Sequence, residues 1–302
     1  MDTAVNQEKD RIERAIALAR VERPTYSGIY SFLEELFLAR AEVRSDLRLD
    51  IPPISAELAA TKWENGFPLL NRWDFPIDVR AAEHILDEIG RAVPVDNLQL
   101  AKAFLVLRSS VPEEFAEKAR FWNSFLHHEL EPWEEWVGGA DTGGIDLASL
   151  MFLARSAAKP SLEQAAERLL EIHPAPTGWL RGYCPVCGSL PSLLYLEGEG
   201  ERRAFCSWCA TKWDLHRLQC PNCDNRYHES LGYLALEAEP QNRITYCTLC
   251  KCYFKQLDTR ELAYPPYLPL EEWTTLHLDL LAQKEGWVQP PSPSPAVYGK
   301  ST

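Results

Sequence analysis

The chain is 302 residues long and carries 44 acidic against 31 basic side chains, a formal net charge of −13. Neutralisation of phosphates by Lys and Arg supplies most non-specific affinity for nucleic acid, so the molecule as a whole is not expected to bind it. No apolar run reaches the roughly 18 residues that a spanning helix needs, and the opening Met1 to Asp10 is too polar for a secretory signal. The expectation is a cytoplasmic protein with no membrane partner and reduced thiols.

In chain order, the first part is helical. Residues 1–177 contain no cysteine and few strand signals. Ile29, Phe32, Leu33, Leu36 and Phe37 fall on one helical face, as do Phe115, Ala119, Trp122 and Leu126. Pro160 followed by Ser161-Leu162-Glu163-Gln164 has the form of a helix start with a capping box. His127-His128 lies in a helical pattern without a metal-ligand partner at suitable spacing, which predicts a helix-surface role.

The composition changes near Thr177-Gly178. Four Cys-x-x-Cys pairs follow: Cys184/Cys187, Cys206/Cys209, Cys220/Cys223 and Cys247/Cys250. They account for eight of the nine cysteines, and Cys252 is the ninth. Two cysteines at that spacing wrap a tight turn so that both sulfurs meet one ion, and two such turns complete a tetrahedral four-sulfur site. Eight ligands mean two metal ions.

The pairs also form an internal repeat. Each unit reads as pair, hairpin, pair, third strand, with turns expected at residues 198–200 and at Pro240-Gln241-Asn242. That is the order of a zinc ribbon or rubredoxin-type fold. It groups Cys184, Cys187, Cys206 and Cys209 on one ion and Cys220, Cys223, Cys247 and Cys250 on the other. A cross-braced arrangement, first pair with third and second with fourth, is the rival, but it leaves the repeat unexplained. Disulfides need an oxidising compartment, and a thioredoxin-like redox pair calls for one pair beside a βαβ pattern. A unit of about 36 residues is too small to fold easily without a metal, so the ions have a structural role in any case. Zinc and iron both accept four thiolates, and spacing does not separate them.

Cys252 aligns with Thr211 when the two units are overlaid, so the repeat does not require it as a ligand. His216 and His228 flank the third pair and are expected near the metal or at the surface, not on it. Trp208 and Trp213 suit either ribbon core or a partner surface. Residues 181–258 hold nine Lys/Arg and nine Asp/Glu, which leaves no basic stripe. No Ser-His-Asp set, Walker loop or Rossmann glycine run occurs.

The expected architecture is α+β: an N-terminal all-α domain, tandem rubredoxin-like or zinc-ribbon β units and a C-terminal helix. The boundaries are a helical domain at 1–177, ribbons at 178–219 and 220–262, a C-terminal helical segment at 263–287 and a disordered Pro/Ser tail at 288–302. The closing helix is expected from Leu270 through Leu281.

The combination resembles a known family. The run Gly182-Tyr183-Cys184-Pro185-Val186-Cys187-Gly188 into Leu190-Pro191, the Cys206-Ser207-Trp208-Cys209 knuckle with Trp213, the Cys220-Pro221-Asn222-Cys223 knuckle and the ending Leu276 to Trp287 are similar to the formate dehydrogenase accessory protein family FdhE. The specific motifs lie between about 178 and 287, and the helical half matches in character only. The resemblance implies a cytoplasmic, non-enzymatic metal-binding assembly factor. Its partner would be the catalytic subunit of a molybdenum- or tungsten-containing formate dehydrogenase. It also implies iron of rubredoxin type, with the eight paired cysteines as ligands. Asp224 stands where a rubredoxin pattern has glycine, which puts the second site's hydrogen bonding to sulfur in question. A rubredoxin-like redox protein and a zinc-ribbon nucleic-acid module are the alternatives.

Overall fold

The computed structural model describes residues 2–126 and 146–290. His127-His128 and the tail beyond residue 290 lie outside them. The chain divides into two compact units, 1–52 with 72–165, and 53–71 with 166–302.

The first unit is helical: α1 (Asp2–Glu22), α2 (Ser27–Val43), α4 (Val79–Ala92), α5 (Leu98–Ser110), α6 (Phe115–Ser124) and most of α7 (Leu147–Ile172). Helix α4 shows why these segments are helices. Asp78 caps it by accepting from the N–H groups of Arg80 and Ala81, and Val79, Ala82, Ile85, Leu86 and Ile89 bury one face. The face predicted for α2 is buried at Phe32, Leu33, Leu36 and Phe37. On α6 the stripe holds at Trp122 and, just past it, at Leu126, but Phe115 at its start is 64% exposed.

Pro160 starts no helix; it lies inside the 26 residues of α7. Proline lacks the N–H that would bond the carbonyl of Ser156, a defect that ordinarily kinks or breaks a helix. Here Arg40 Nε donates to that carbonyl at 3.2 Å. Ser161 does not cap α7 either, because its hydroxyl accepts from the N–H of Asp78 at 3.1 Å.

The second unit includes a segment from far upstream. Residues 53–71, with α3 (Ala56–Glu64), cluster with the cysteine-bearing region and not with the other N-terminal helices. Their backbone grips the first knuckle: the N–H groups of Leu69 and Leu70 donate to Pro185 and Val186 at 3.0 and 2.9 Å. Trp63 Nε1 also donates to Pro185, and the Tyr183 hydroxyl donates to the carbonyl of Gly66.

The two repeats do not stand as separate ribbons. Strands β1 (Leu193–Glu197), β2 (Glu201–Phe205) and β3 (Lys212–Leu215) of the first join β4 (Leu231–Leu236), β5 (Glu239–Cys247) and β6 (Tyr253–Asp258) of the second. They form one sheet in the order β3-β2-β1-β6-β5-β4. Neighbours within a repeat are antiparallel; β1 and β6 pair parallel, Leu194 with Gln256 through Leu196 with Asp258. At the knuckles the repeats meet so closely that a Cβ on Gly182 would lie 1.9 Å from the carbonyl oxygen of Pro221.

The second hairpin turns at Glu237-Ala238, not at Pro240-Gln241-Asn242, which lie in β5. A register shift at Ala235/Leu236 absorbs the difference. One face of the sheet is covered by two clusters. Leu193, Tyr195, Phe205 and Leu257 pack with Leu268, and Ile244 and Tyr253 pack with Leu278 and Ala282. The expected closing helix is two short ones, α8 (Leu268–Thr274) and α9 (Leu276–Lys284), broken at Thr275. After α9, Trp287 stacks on Tyr246 at 4.2 Å, and Val288 pairs with the backbone of Lys251 and Tyr253.

Candidate metal centres

All four Cys-x-x-Cys pairs fold into the same knuckle. The residue after the second cysteine donates its N–H to the carbonyl of the first, at 2.8 to 3.0 Å, in Gly188, Ala210, Asp224 and Lys251. The N–H of each first cysteine donates to the carbonyl two residues past the second, in Ser189, Thr211, Asn225 and Cys252. The closing residue is left-handed every time, with φ of 72°, 58°, 56° and 62° in chain order. Glycine adopts that conformation freely, and other residues do so at a cost of order 1–2 kcal/mol. Asp224 adopts the same left-handed conformation and keeps the N–H to carbonyl bond of the knuckle.

The knuckles bring the sulfurs together ribbon by ribbon. Cys184, Cys187, Cys206 and Cys209 form one group, Cys220, Cys223, Cys247 and Cys250 another, each with its sulfur atoms within 4.8 Å of one another. The cross-braced grouping is not the one adopted. Contacts run 3.5 to 3.7 Å in the first group, and 3.6 Å (Cys220 to Cys250) and 3.8 Å (Cys223 to Cys247) in the second. Disulfides need about 2.05 Å, whereas a tetrahedron with metal–sulfur bonds of about 2.3 Å has edges of about 3.8 Å. The donor set fits one tetrahedral ion per group.

The surroundings point the same way. Ser189 and Thr211 hydroxyls lie 3.1 Å from Cys187 and Cys209, and the Asn225 amide donates to Cys247 at 3.4 Å. These residues share one knuckle position, and Cys252 occupies it in the fourth knuckle. Its sulfur accepts from the Asn222 amide at 3.3 Å, so Cys252 sits beside the second group without belonging to it.

Four ionised thiols in so small a volume require a cation. In the first group burial pushes Cys184 and Cys209 well above the ordinary thiol range. Cys206, against its burial, is held well below it by hydrogen bonds from Cys184, Cys187 and Cys209. In the second, burial raises Cys223 to about 11 and drives Cys220 higher still. Burial also acts to raise Cys247, but the Cys250 backbone N–H and the Asn225 amide outweigh it and bring that thiol down to about 7. Cys206 in the first group and Cys247 in the second thus ionise most readily, and an arriving ion displaces the protons that burial holds on Cys184, Cys209, Cys220 and Cys223.

No histidine enters either group. His216 donates its backbone N–H to Gln219, and the ring of His228 packs on Tyr227. Trp208 and Trp213 are buried. No described helix is long and apolar enough to cross a membrane.

No family model matches the chain. A protein FdhE homolog of Haemophilus ducreyi is 30% identical over 251 residues, covering 80% of this chain and 75% of that protein. The chain belongs to the FdhE family. The FdhE homolog of Aquifex aeolicus is 35% identical over 152 residues, 48% of this chain, which spans about half (52%) of that relative. The crystal structure of the FdhE protein from Pseudomonas aeruginosa has the same fold, with a TM-score of 0.63 and 22% identity over 94% of this chain and 92% of that one.

Proposed function

We propose that the chain is a cytoplasmic, non-enzymatic accessory protein that supports formate dehydrogenase maturation by docking on the enzyme's catalytic subunit. Its eight paired cysteines would hold two metal ions, iron or zinc. The observation that carries this reading is the pair of four-thiol centres of tetrahedral dimensions in a chain of the FdhE family. A metal held by four protein thiolates has no open position for substrate, which suits a structural or docking role. Knuckles also present loops on a stiff frame, at little entropic cost when a partner binds.

Two measurements test it. Deleting the gene should lower formate dehydrogenase activity in cells while the enzyme's transcript persists, and affinity capture of the tagged protein should recover the catalytic subunit. Normal activity together with no captured catalytic subunit would sink the proposal. One observation favours a second reading, a rubredoxin-like redox protein. Cys223 is exposed, so the second centre comes to the surface where an electron could pass. Visible absorption that bleaches on reduction, with electron transfer to the client, would support it.

A further inference from the structure

The sheet face opposite the C-terminal helices carries a cavity of about 250 Å³. The strand register places Leu196, Arg202, Tyr233, Arg243, Thr245, Phe254 and Gln256 on that face. Arg217 and Arg260 complete a wall that contains four arginines and no Asp or Glu. For a chain of net charge −13 this is a sharp local reversal. The arginines come from four separate stretches of sequence, so the near-neutral linear count conceals them.

The wall is graded. Arg202 is 7% exposed and is held by neutral acceptors, Gln256 Oε1 at 3.0 Å and the Gln219 carbonyl at 2.7 Å. Arg243 and Arg260 share the carboxylate of Asp258, and Glu261 acts on Arg260 through its field. Arg217 at the mouth has no hydrogen-bond or ionic partner among the described residues. The thiols of Cys220 and Cys247 also line the cavity, and charge on Cys220 reaches Arg202. A thiolate centre therefore offsets part of the base and one carboxylate, Asp258, part of the charge of Arg243 and Arg260, which leaves Arg217 uncompensated at the rim. A buried guanidinium without a carboxylate is costly unless an anion compensates it. Arginine's planar fork matches phosphoryl oxygens in particular.

We propose that this face binds a small phosphoryl-bearing ligand, with Arg202 at the base of the site and Arg217, Arg243 and Arg260 around its oxygens. The volume holds on the order of eight or more water-sized groups, enough for a phosphoryl group and a short attached moiety but not for a polymer. Exposed Tyr233, with Arg243 5.5 Å from its ring centroid, offers a flat wall for that moiety. The inference goes beyond the assembly reading and does not depend on which client is bound.

Inorganic pyrophosphate is the probe, titrated calorimetrically into the metal-loaded full chain. The expected result is one saturable site per chain that weakens as salt rises. Arg217→Ala should weaken it roughly tenfold or more, the scale of one charge-assisted contact. Arg217 is exposed and unpaired, so this variant should fold and keep both metal ions; Lys102→Ala, an exposed change in the helical unit, should leave affinity within about twofold. Three results would overturn the proposal: no saturable heat, equal affinity in the Arg217→Ala and Lys102→Ala proteins, or an oligonucleotide that binds more tightly than pyrophosphate with a salt slope growing with its length. The last would assign the arginines to a nucleic-acid backbone.

Discussion

The two cysteine groups share one backbone plan and differ in what surrounds them. All four cysteines of the first group are buried, none more than 2% exposed. In the second group Cys223 is exposed and Cys250 half-buried. The cause lies outside the repeat. Residues 53–71 lay backbone across the first knuckle, whereas the second group has only partial cover: Gly182 packs on Pro221 and Val288 bonds Lys251 and Tyr253, which leaves Cys223 and Leu249 exposed. A duplicated motif has thus become one enclosed centre and one accessible centre through its neighbours, not through its ligands.

The largest expected effect comes from breaking the enclosed centre. With Cys206 and Cys209 both changed to serine, the first ion should be lost and the first ribbon, β1 to β3, should unfold. Apparent binding energies of about 10–16 kcal/mol for structural zinc are as large as the whole stability of a typical domain, about 5–15 kcal/mol. Helical circular dichroism should largely persist, because the first unit has its own core; complete loss of helix would show that the two units do not fold separately.

A second test uses pH. Thiols whose values are raised by burial stay protonated until an ion displaces them, so affinity falls as pH falls. Displacing at least two protons per centre costs at least about a hundredfold per pH unit. Below about pH 7 the second centre should weaken more steeply, since Cys247 then also takes a proton while Cys206 stays ionised. Competition with a chelator at stepped pH on single-centre variants measures both slopes, and parallel slopes would erase the distinction.

Removing one ligand sharpens the comparison further. Cys220→Ser should reduce metal content from two ions per chain to one, and Cys184→Ser should do the same from the other side. Of the two remaining ions, the one in the Cys184→Ser protein should exchange about tenfold faster, because its centre is open to solvent. Next, Asn225→Ala should weaken the second centre about tenfold, within the range for loss of a hydrogen bond to a ligand, and leave the first unchanged. The smallest effect is expected at Ala210→Gly. Relief of a left-handed alanine, offset by glycine's greater freedom when unfolded, should stabilise the ribbon region by up to about 1 kcal/mol, read as a rise in Tm.

The cysteine groups were legible because ligand geometry is local. A knuckle is six residues long, and its repetition announces hairpins between. What escaped the sequence depended on distant partners. Nothing near Pro160 reveals that Arg40 will take up the carbonyl of Ser156, so the proline reads as a helix start. Nothing in residues 53–71 reveals that Trp63, Leu69 and Leu70 will bond the first knuckle. The arginine-lined cavity was invisible for a related reason: sheet register, not proximity in sequence, brings Arg202 and Arg243 to one face. The turn at Glu237-Ala238 was missed because Pro240 and Asn242 carry the stronger turn composition, while the register shift lets β5 begin before them.

The parallel pairing of β1 with β6 has a consequence for solubility. A ribbon on its own has two unpaired strand edges, each a template for joining another chain. Fusing two ribbons through β1 and β6 conceals one edge of each, so the six strands expose only β3 and β4. The seam is fastened at its end by Thr259, whose hydroxyl reaches the carbonyl of Leu196 across 63 residues of sequence. A first ribbon made alone would carry its β1 edge bare, and its readiest partner would be another copy of itself.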